Sequence, residues 1–84
     1  MMSKVTVDDT VTSIVSSNSN RKKLWIKNIG VNTVFIGDNT VTASSGFPVF
    51  AGEEFVSSDY SGEWSGICEA SESTDVSVFE EVVE

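Results

Sequence analysis

The choice of aliphatic residues is the feature that most restricts how this chain can fold. Its 84 residues include thirteen valines and five isoleucines but only one leucine and three alanines, and glutamine and histidine are absent. β-branched side chains lose rotamer freedom in a helix and pack well on a pleated sheet, whereas straight-chain helix formers are scarce in this sequence. We therefore expect an all-β domain.

Turn-forming residues recur about every eight to ten positions and separate short stretches in which apolar and polar residues alternate. Alternation with a period of two is typical of antiparallel strands that bury one face. This spacing predicts a small antiparallel β-sandwich or barrel, either jelly-roll-like or with another Greek-key topology. We expect a single β domain over residues 1–84, in which residues 1–9 are an edge strand or a flexible arm.

The clearest predicted strand covers residues 22–28. Leu24 and Ile26 fall on one side of this strand, and Trp25 falls on the other. Since successive side chains of a strand point to opposite faces, we expect Leu24 and Ile26 to be buried and Trp25 to face away from the core. By the same rule, either Phe35 or both of its neighbours should lie inside.

Two connections are predicted in the middle of the chain. Residues 29–32 contain glycine and asparagine and predict a hairpin turn, which would place the next strand beside the preceding one. Residues 38–39 predict a second turn, which leads into a further strand at residues 40–42.

The residues that catalysis needs are missing or isolated. General acid–base catalysis near neutral pH usually uses histidine, and a serine or cysteine nucleophile would lack an activating base. Cys68, the single cysteine, lies in an apolar stretch and is expected to be a buried, inert thiol. We expect no enzymatic activity, no cofactor and no metal, and we attribute the aspartates at 8–9 and 37–39 to turns rather than to calcium binding.

The charge of the chain is negative and unevenly distributed. Five basic residues stand against thirteen acidic ones, for a formal net charge of −8, and residues 38–84 contain eleven carboxylates and no basic residue. A nucleic-acid surface needs clustered cations, and a membrane span needs ~20 apolar residues, so we expect neither partner. The acidic half is interpreted as a solvated, self-repelling face, with an acidic patch for a basic partner as the alternative.

Several segments in series carry a resemblance to a known family. The sequence reads Arg-Lys-Lys-Leu-Trp-Ile-Lys-Asn-Ile-Gly at 21–30, Val-Phe-Ile-Gly at 34–37, Val-Thr at 41–42, Gly-Phe-Pro-Val at 46–49 and Ala-Gly-Glu-Glu at 51–54. In this order and spacing the segments resemble those of the small β-rich structural proteins of tailed bacteriophages, of the capsid-decoration or head-fibre-base type. The resemblance covers about residues 10–83, with Val49 in place of the usual leucine.

The resemblance implies a virion structural protein that decorates or cements a capsid and is assembled in the host cytoplasm. Its implied partners are the major capsid protein or another virion protein, together with further copies of itself, and a trimer is favoured. Two alternatives remain open. One is a carbohydrate- or receptor-binding module that uses Trp25 and Trp64 as stacking platforms, and the other is a virion component of the tail or neck.

A basic cluster beside an outward tryptophan is the candidate contact site. Arg21, Lys22 and Lys23 form the one dense group of cations in the sequence, and Trp25 follows them closely. Tryptophan and arginine are enriched among the residues that dominate protein–protein binding. We expect Arg21, Lys22, Lys23 and Trp25 to contribute to the contact with the capsid or with a neighbouring subunit.

Overall fold

Eight short strands form the regular structure of the described residues, 2–58 and 60–83, in the computed structural model. They are β1 (Met2–Val7), β2 (Thr12–Val15), β3 (Arg21–Asn28), β4 (Val34–Gly37), β5 (Phe47–Val49), β6 (Glu54–Ser58), β7 (Trp64–Ile67) and β8 (Thr74–Val82). Nowhere in this part of the chain is there a helix that is long and apolar enough to cross a membrane. The all-β prediction is confirmed; Met1, Asp59 and Glu84 of the predicted domain lie outside the described residues.

The strands form two antiparallel sheets that pack against each other as a sandwich. Sheet A has the strand order β1-β8-β3-β6, and sheet B has the order β2-β7-β4-β5. The strands pair as β1 with β8, β2 with β7, β3 with β6 and β4 with β5, so the chain is one long antiparallel ribbon. Successive strand pairs of this ribbon belong alternately to sheet A and sheet B. This is the jelly-roll arrangement, and it decides between the topologies that the sequence left open. Residues 2–7 form an edge strand of sheet A.

The core lies between the sheets and consists mainly of valine and isoleucine. Leu24 and Ile26 point into it from β3, and Val34 and Ile36 point into it from β4. Phe35, between the latter two, lies on the opposite side of β4, as strand alternation requires. The other buried residues of the core cluster are Val7, Ile14, Val15, Val49, Cys68, Val76 and Val78.

The predicted hairpin at residues 29–32 is wrong, because β3 belongs to sheet A and β4 to sheet B. The segment is an arch between the sheets, and the buried side chain of Asn28 holds it. Nδ2 of Asn28 donates to the carbonyl oxygens of Asn32 and Val49 at 2.7 and 2.9 Å, and its Oδ1 accepts a bond of 2.7 Å from the Thr74 hydroxyl. With both polar groups satisfied, this side chain ties the two sheets together at one end of the sandwich.

The predicted strand at residues 40–42 is also wrong. Residues 38–46, which we call the β4–β5 loop, contain no strand and are mostly turns and bends. Oδ1 of Asp38 accepts bonds of 2.9 and 2.6 Å from the amide and hydroxyl of Thr40, and the amide of Gly46 donates to the carbonyl of Thr42 at 2.8 Å. These local bonds satisfy the backbone within the loop, so it has no need of a strand partner.

Candidate functional site

A row of apolar side chains crosses the outer face of sheet A, on the side away from the core. The strand registers place Met2 opposite Phe79, Phe79 opposite Trp25, and Trp25 opposite Val56, so that each strand of the sheet contributes one residue. Met2 is 71% exposed, Val56 44% and Phe79 40%. We call these four side chains the apolar row. Contiguous exposed apolar groups make this face a candidate interaction surface.

Charged side chains border the apolar row on both sides. Neighbours of opposite charge on adjacent strands are Lys23 with Glu81, Lys27 with Glu54, and Lys4 with Asp75. The Lys4 Nζ lies 3.7 Å from a carboxylate oxygen of Asp75. An apolar centre with a charged rim is the usual anatomy of a protein interface.

The outer face of sheet A also differs from the rest of the surface in the sign of its charges. Lys4, Lys23 and Lys27 lie on this face, and Lys22, the fourth lysine of the sequence, is exposed at its margin. Away from this face, the surface acidic side chains of the described residues are Asp8, Asp9, Asp38, Glu53, Glu63, Glu69 and Glu72. Within residues 2–58 and 60–83, positive and negative surface charges are therefore mixed on this face alone.

Trp25 is held on this face by two neighbours. Its ring centroid lies 5.1 Å from that of Phe79, with a tilt of 47° between the planes, and the Lys23 Nζ lies 5.1 Å from the Trp25 ring centroid. Tilted aromatic pairs and cations over an aromatic face are both favourable arrangements. The predicted outward orientation of Trp25 is confirmed, and Lys23 and Trp25 of the predicted contact site lie side by side.

Arg21 does not belong to this surface, which corrects the prediction that included it in the contact site. Its side chain is buried, Nη1 donates to the carbonyl oxygens of Tyr60 and Gly62 at 3.1 and 2.9 Å, and Nη2 donates to that of Ser16 at 2.7 Å. The Nε atom also lies 3.5 Å from the Glu80 carboxylate. Arg21 therefore joins two loops and β8 inside the fold, and its side chain is not exposed on this surface.

A bulge in β3 explains this inward orientation. The register of β3 against β8 shifts between Arg21 and Lys23, so the alternation of side chains is interrupted at Lys22. Arg21 consequently shares the inner side with Leu24, whereas Lys22 is exposed at the bulge. Of the predicted contact residues, the structure brings Lys22, Lys23 and Trp25 to the surface.

Part of the outer face of sheet B is covered by the chain itself. The β4–β5 loop folds over this face, and Val41 in the loop is only 4% exposed. A Cβ added at Gly46 would lie 2.7 Å from both the Phe35 Cβ and a Val41 methyl group, so the loop lies in close contact with β4. Ser65, which lies opposite Gly37 on the same face, is also buried.

A second group of aromatic side chains lies on the side of the sandwich where β5 and β6 are the edge strands. Successive ring centroids of Phe47, Phe55, Trp64 and Tyr60 are 5.6, 5.1 and 5.4 Å apart. Trp64 packs edge-on between Phe55 and Tyr60, and its Nε1 is buried without a hydrogen-bond acceptor among the described residues. Phe55 and Trp64 pack against the core between the sheets, and Phe47 and Tyr60 extend this group to the surface, where they are 58% and 51% exposed.

An open cavity of about 370 Å³ adjoins this aromatic group. Gly37, Asp38, Tyr60, Glu63 and Trp64 line it. Its size lies within the range of small-molecule sites, and it combines aromatic surface with two carboxylates. The carboxylates are hydrogen-bond acceptors, so the cavity suits a ligand that carries donors.

The aspartates at the two Asx-type turns serve their own backbone, as predicted. Oδ1 of Asp8 accepts bonds of 3.0 and 2.7 Å from the amide and hydroxyl of Thr10, which repeats the pattern of Asp38 with Thr40. These bonds lower the pKa of Asp8 and of Asp38 below the ordinary value, and the bond from the threonine hydroxyl has the larger effect. Among the described residues no group of three or more acidic, cysteine or histidine side chains is arranged to hold a metal ion.

Cys68 is buried in the core cluster, as predicted. Its thiol donates to the carbonyl of Val7 at 3.4 Å. Burial, reinforced by the charge of Glu72, raises the pKa of the Cys68 thiol. A buried thiol with a raised pKa is a poor nucleophile.

The sequence prediction missed three of the four members of the apolar row: Met2, Val56 and Phe79. The alternation of Asp75, Ser77, Phe79 and Glu81 contained a usable signal, since it places an isolated aromatic residue on the polar side of a strand. Their alignment with Trp25 depends on the strand registers, which local sequence does not specify.

Comparison with known proteins adds no relative to this description. No family model, no curated protein and no solved structure matches the chain significantly.

Proposed function

We propose that this chain is a structural subunit of a tailed-phage virion, which decorates or cements the capsid, and that the outer face of sheet A makes its contact with the capsid or with a neighbouring subunit. The observation that carries the proposal is the exposed apolar row on this face, in a molecule whose β4–β5 loop covers part of its other outer face. Covering such a row with protein removes apolar surface from water and stabilises the complex.

The assignment to a phage virion rests on the sequence resemblance over residues 10–83, because a jelly roll by itself does not specify a function. The charge distribution supports a docking role for this face. The remaining described surface is acidic, so copies and acidic partners repel each other through it, whereas the mixed charges around the apolar row allow close approach.

Within this role, Trp25 and Phe79 form the centre of the contact, and Lys22 and Lys23 lie at its margin. Central aromatic residues contribute most of the binding free energy at an interface, while marginal charges mainly set the association rate and the orientation. The proposed contact site therefore keeps Lys22, Lys23 and Trp25 of the predicted set and adds Phe79.

Particle occupancy tests the proposal. Virions would be purified from the host that produces this chain, and copies per particle would be counted by quantitative mass spectrometry for the wild type, Trp25→Ser, and the Lys22→Glu/Lys23→Glu double variant. We expect Trp25→Ser to lower occupancy at limiting protein by about tenfold or more, with a smaller loss for the lysine variant. Arg21 is left unchanged because its substitution would test folding.

Glu69→Lys, a charge reversal at an exposed residue away from this face, is the matched control and should keep wild-type occupancy. Absence of the chain from purified virions, or undiminished occupancy of the Trp25 variant, would contradict the proposal. The wild-type count also locates the subunit, since capsid decoration requires hundreds of copies per particle and a tail or neck role requires a handful.

A glycan-binding role is the second candidate, and the cavity beside Tyr60 and Trp64 favours it. The aromatic surface and the carboxylates of Asp38 and Glu63 provide stacking and hydrogen-bond acceptors for sugar hydroxyl groups. A glycan array probed with the isolated chain tests this candidate, with Tyr60→Ala as the variant that should lose any signal. Binding that Tyr60→Ala retains would rule out the cavity.

A further inference from the structure

We infer that the outer face of sheet A pairs with the same face of a second copy of this chain, about a two-fold axis that runs parallel to the strands, midway between β8 and β3. This inference identifies a second copy of the chain as the partner of the face used in the proposed function. It rests on that proposal for the assignment to a virion. Its evidence is the pattern of side chains on the face, read from the strand registers.

The strand order makes such a pair geometrically simple. Sheet A has the order β1-β8-β3-β6, so this axis places β8 over β3 of the second copy and β1 over β6. In the apolar row, Phe79 then meets Trp25 of the second copy, and Met2 meets Val56. Every apolar group of the row is covered by an apolar group, as the core of an interface requires.

The charged side chains on either side of the row match under the same operation. Glu81 and Lys23 occupy adjacent positions on β8 and β3, so each meets the opposite charge in the second copy. The row on the other side runs Lys4, Ser77, Lys27, Glu54 across the four strands. Lys4 of one copy therefore meets Glu54 of the other, and Ser77 meets Lys27.

Other ways of joining two copies lack this match. A two-fold axis across the strands would place Lys23 over Lys27 of the second copy, which brings like charges together. Away from this face, the charged surface side chains of the described residues are acidic, so pairs of copies that oppose them are disfavoured, although Val31, Phe47 and Phe50 are also exposed there. The resemblance favoured a trimer, but a three-fold arrangement does not bring one face against itself.

The size of the face approaches that of a standard interface. Four strands of five to nine residues give a sheet of roughly 20 × 24 Å from ordinary strand spacing and rise. Projecting side chains raise its accessible area above that planar figure, toward the ~800 Å² per partner of a standard interface.

The first measurement is the mass of the full chain in solution by sedimentation equilibrium, up to millimolar concentration. We expect twice the chain mass of 9.0 kDa. Trp25→Ser or Phe79→Ser should raise the dimer dissociation constant by at least ~30-fold, because each removes a central aromatic contact twice per dimer. Circular dichroism of both variants checks that the sandwich is intact.

A mixing experiment then tests the two-fold directly. Lys4→Glu and Glu54→Lys each place like charges against each other in their own dimer, and each should dimerise about tenfold more weakly. Mixed together, they restore both Lys–Glu contacts between chains, so a heterodimer of near wild-type affinity should form. Lys4 and Glu54 lie on opposite edge strands, so they cannot neutralise each other within one chain. Glu69→Lys, which should leave dimerisation unchanged, is the control.

A monomer at millimolar concentration, a trimer, or a dimer that Trp25→Ser and the Lys4 and Glu54 variants do not weaken would overturn the inference. So would failure of the two charge variants to associate on mixing. These outcomes are separate from particle occupancy: a monomeric chain retained on virions removes the pair and leaves the proposed function. A dimer that is absent from virions supports the pair and contradicts the proposed function.

Discussion

The two outer faces of this sandwich both carry apolar side chains, and they differ in how far the rest of the chain covers them. Sheet B carries Phe35 on its outer face, and the β4–β5 loop covers that side through the buried side chain of Val41. Sheet A carries a full row of apolar side chains on its outer face, and in the described residues no loop covers it. The nine residues of the β4–β5 loop thus cover part of one outer face, whereas the apolar row on the other face stays exposed, as the proposed docking role requires.

The largest expected effect comes from placing one charge on each face. Val41→Asp buries a carboxylate under the loop and should lower the free energy of unfolding by about 3 kcal/mol. Val56→Asp is the matched change on the apolar row, where the side chain is 44% exposed, and should cost under about 1 kcal/mol in the monomer. Urea unfolding at low protein concentration measures both; equal losses would abolish the distinction between the faces.

A smaller effect should follow from separating the loop from sheet B. Gly46→Ala adds a Cβ that would lie 2.7 Å from both Phe35 and Val41, so the loop must shift outward. We expect a loss of about 1–2 kcal/mol in unfolding free energy. Ala51→Val enlarges an exposed turn residue and serves as control, with a change within about 0.5 kcal/mol. A neutral Gly46→Ala would show that close contact with Phe35 does not hold the loop.

The smallest effect concerns pH and is confined to the loop. The pKa of Asp38 is lowered from its ordinary 3.8 by bonds from Thr40, so the stabilisation is complete above pH 3.8 and is lost as the pH falls through the lower, folded-state pKa. Hydrogen exchange, corrected for its intrinsic pH dependence, should show the amides of Thr40 and Val41 losing protection in that range before those of β3 and β8. Asp38→Asn should abolish this acid response; a response that persists in the variant would assign it to another group.

Much of the sheet architecture could be predicted from local sequence. The burial of Leu24 and Ile26 and the outward side of Trp25 follow from period-two alternation, which depends on strand geometry alone. The two wrong connections had a common cause. Glycine, asparagine and aspartate show where the chain turns, but whether it returns to the same sheet depends on long-range pairing.

The candidate site was predictable only in part for the same reason. Lys22, Lys23 and Trp25 are neighbours in sequence, so the pattern could place them together. Arg21 was misplaced because a one-residue bulge reverses the alternation, and the bulge depends on the register against β8. Phe79 joins Trp25 through that same register.

The pairing of β1 with β8 has a consequence for the order of events during synthesis. Met2 and Phe79 lie opposite each other, although nearly the whole chain separates them in sequence. Closing so long a loop is slow compared with forming local hairpins, and the row of side chains on this sheet is complete only after it has closed. A nascent or truncated chain therefore lacks the complete apolar row, so a contact through this row can form only after β1 has paired with β8.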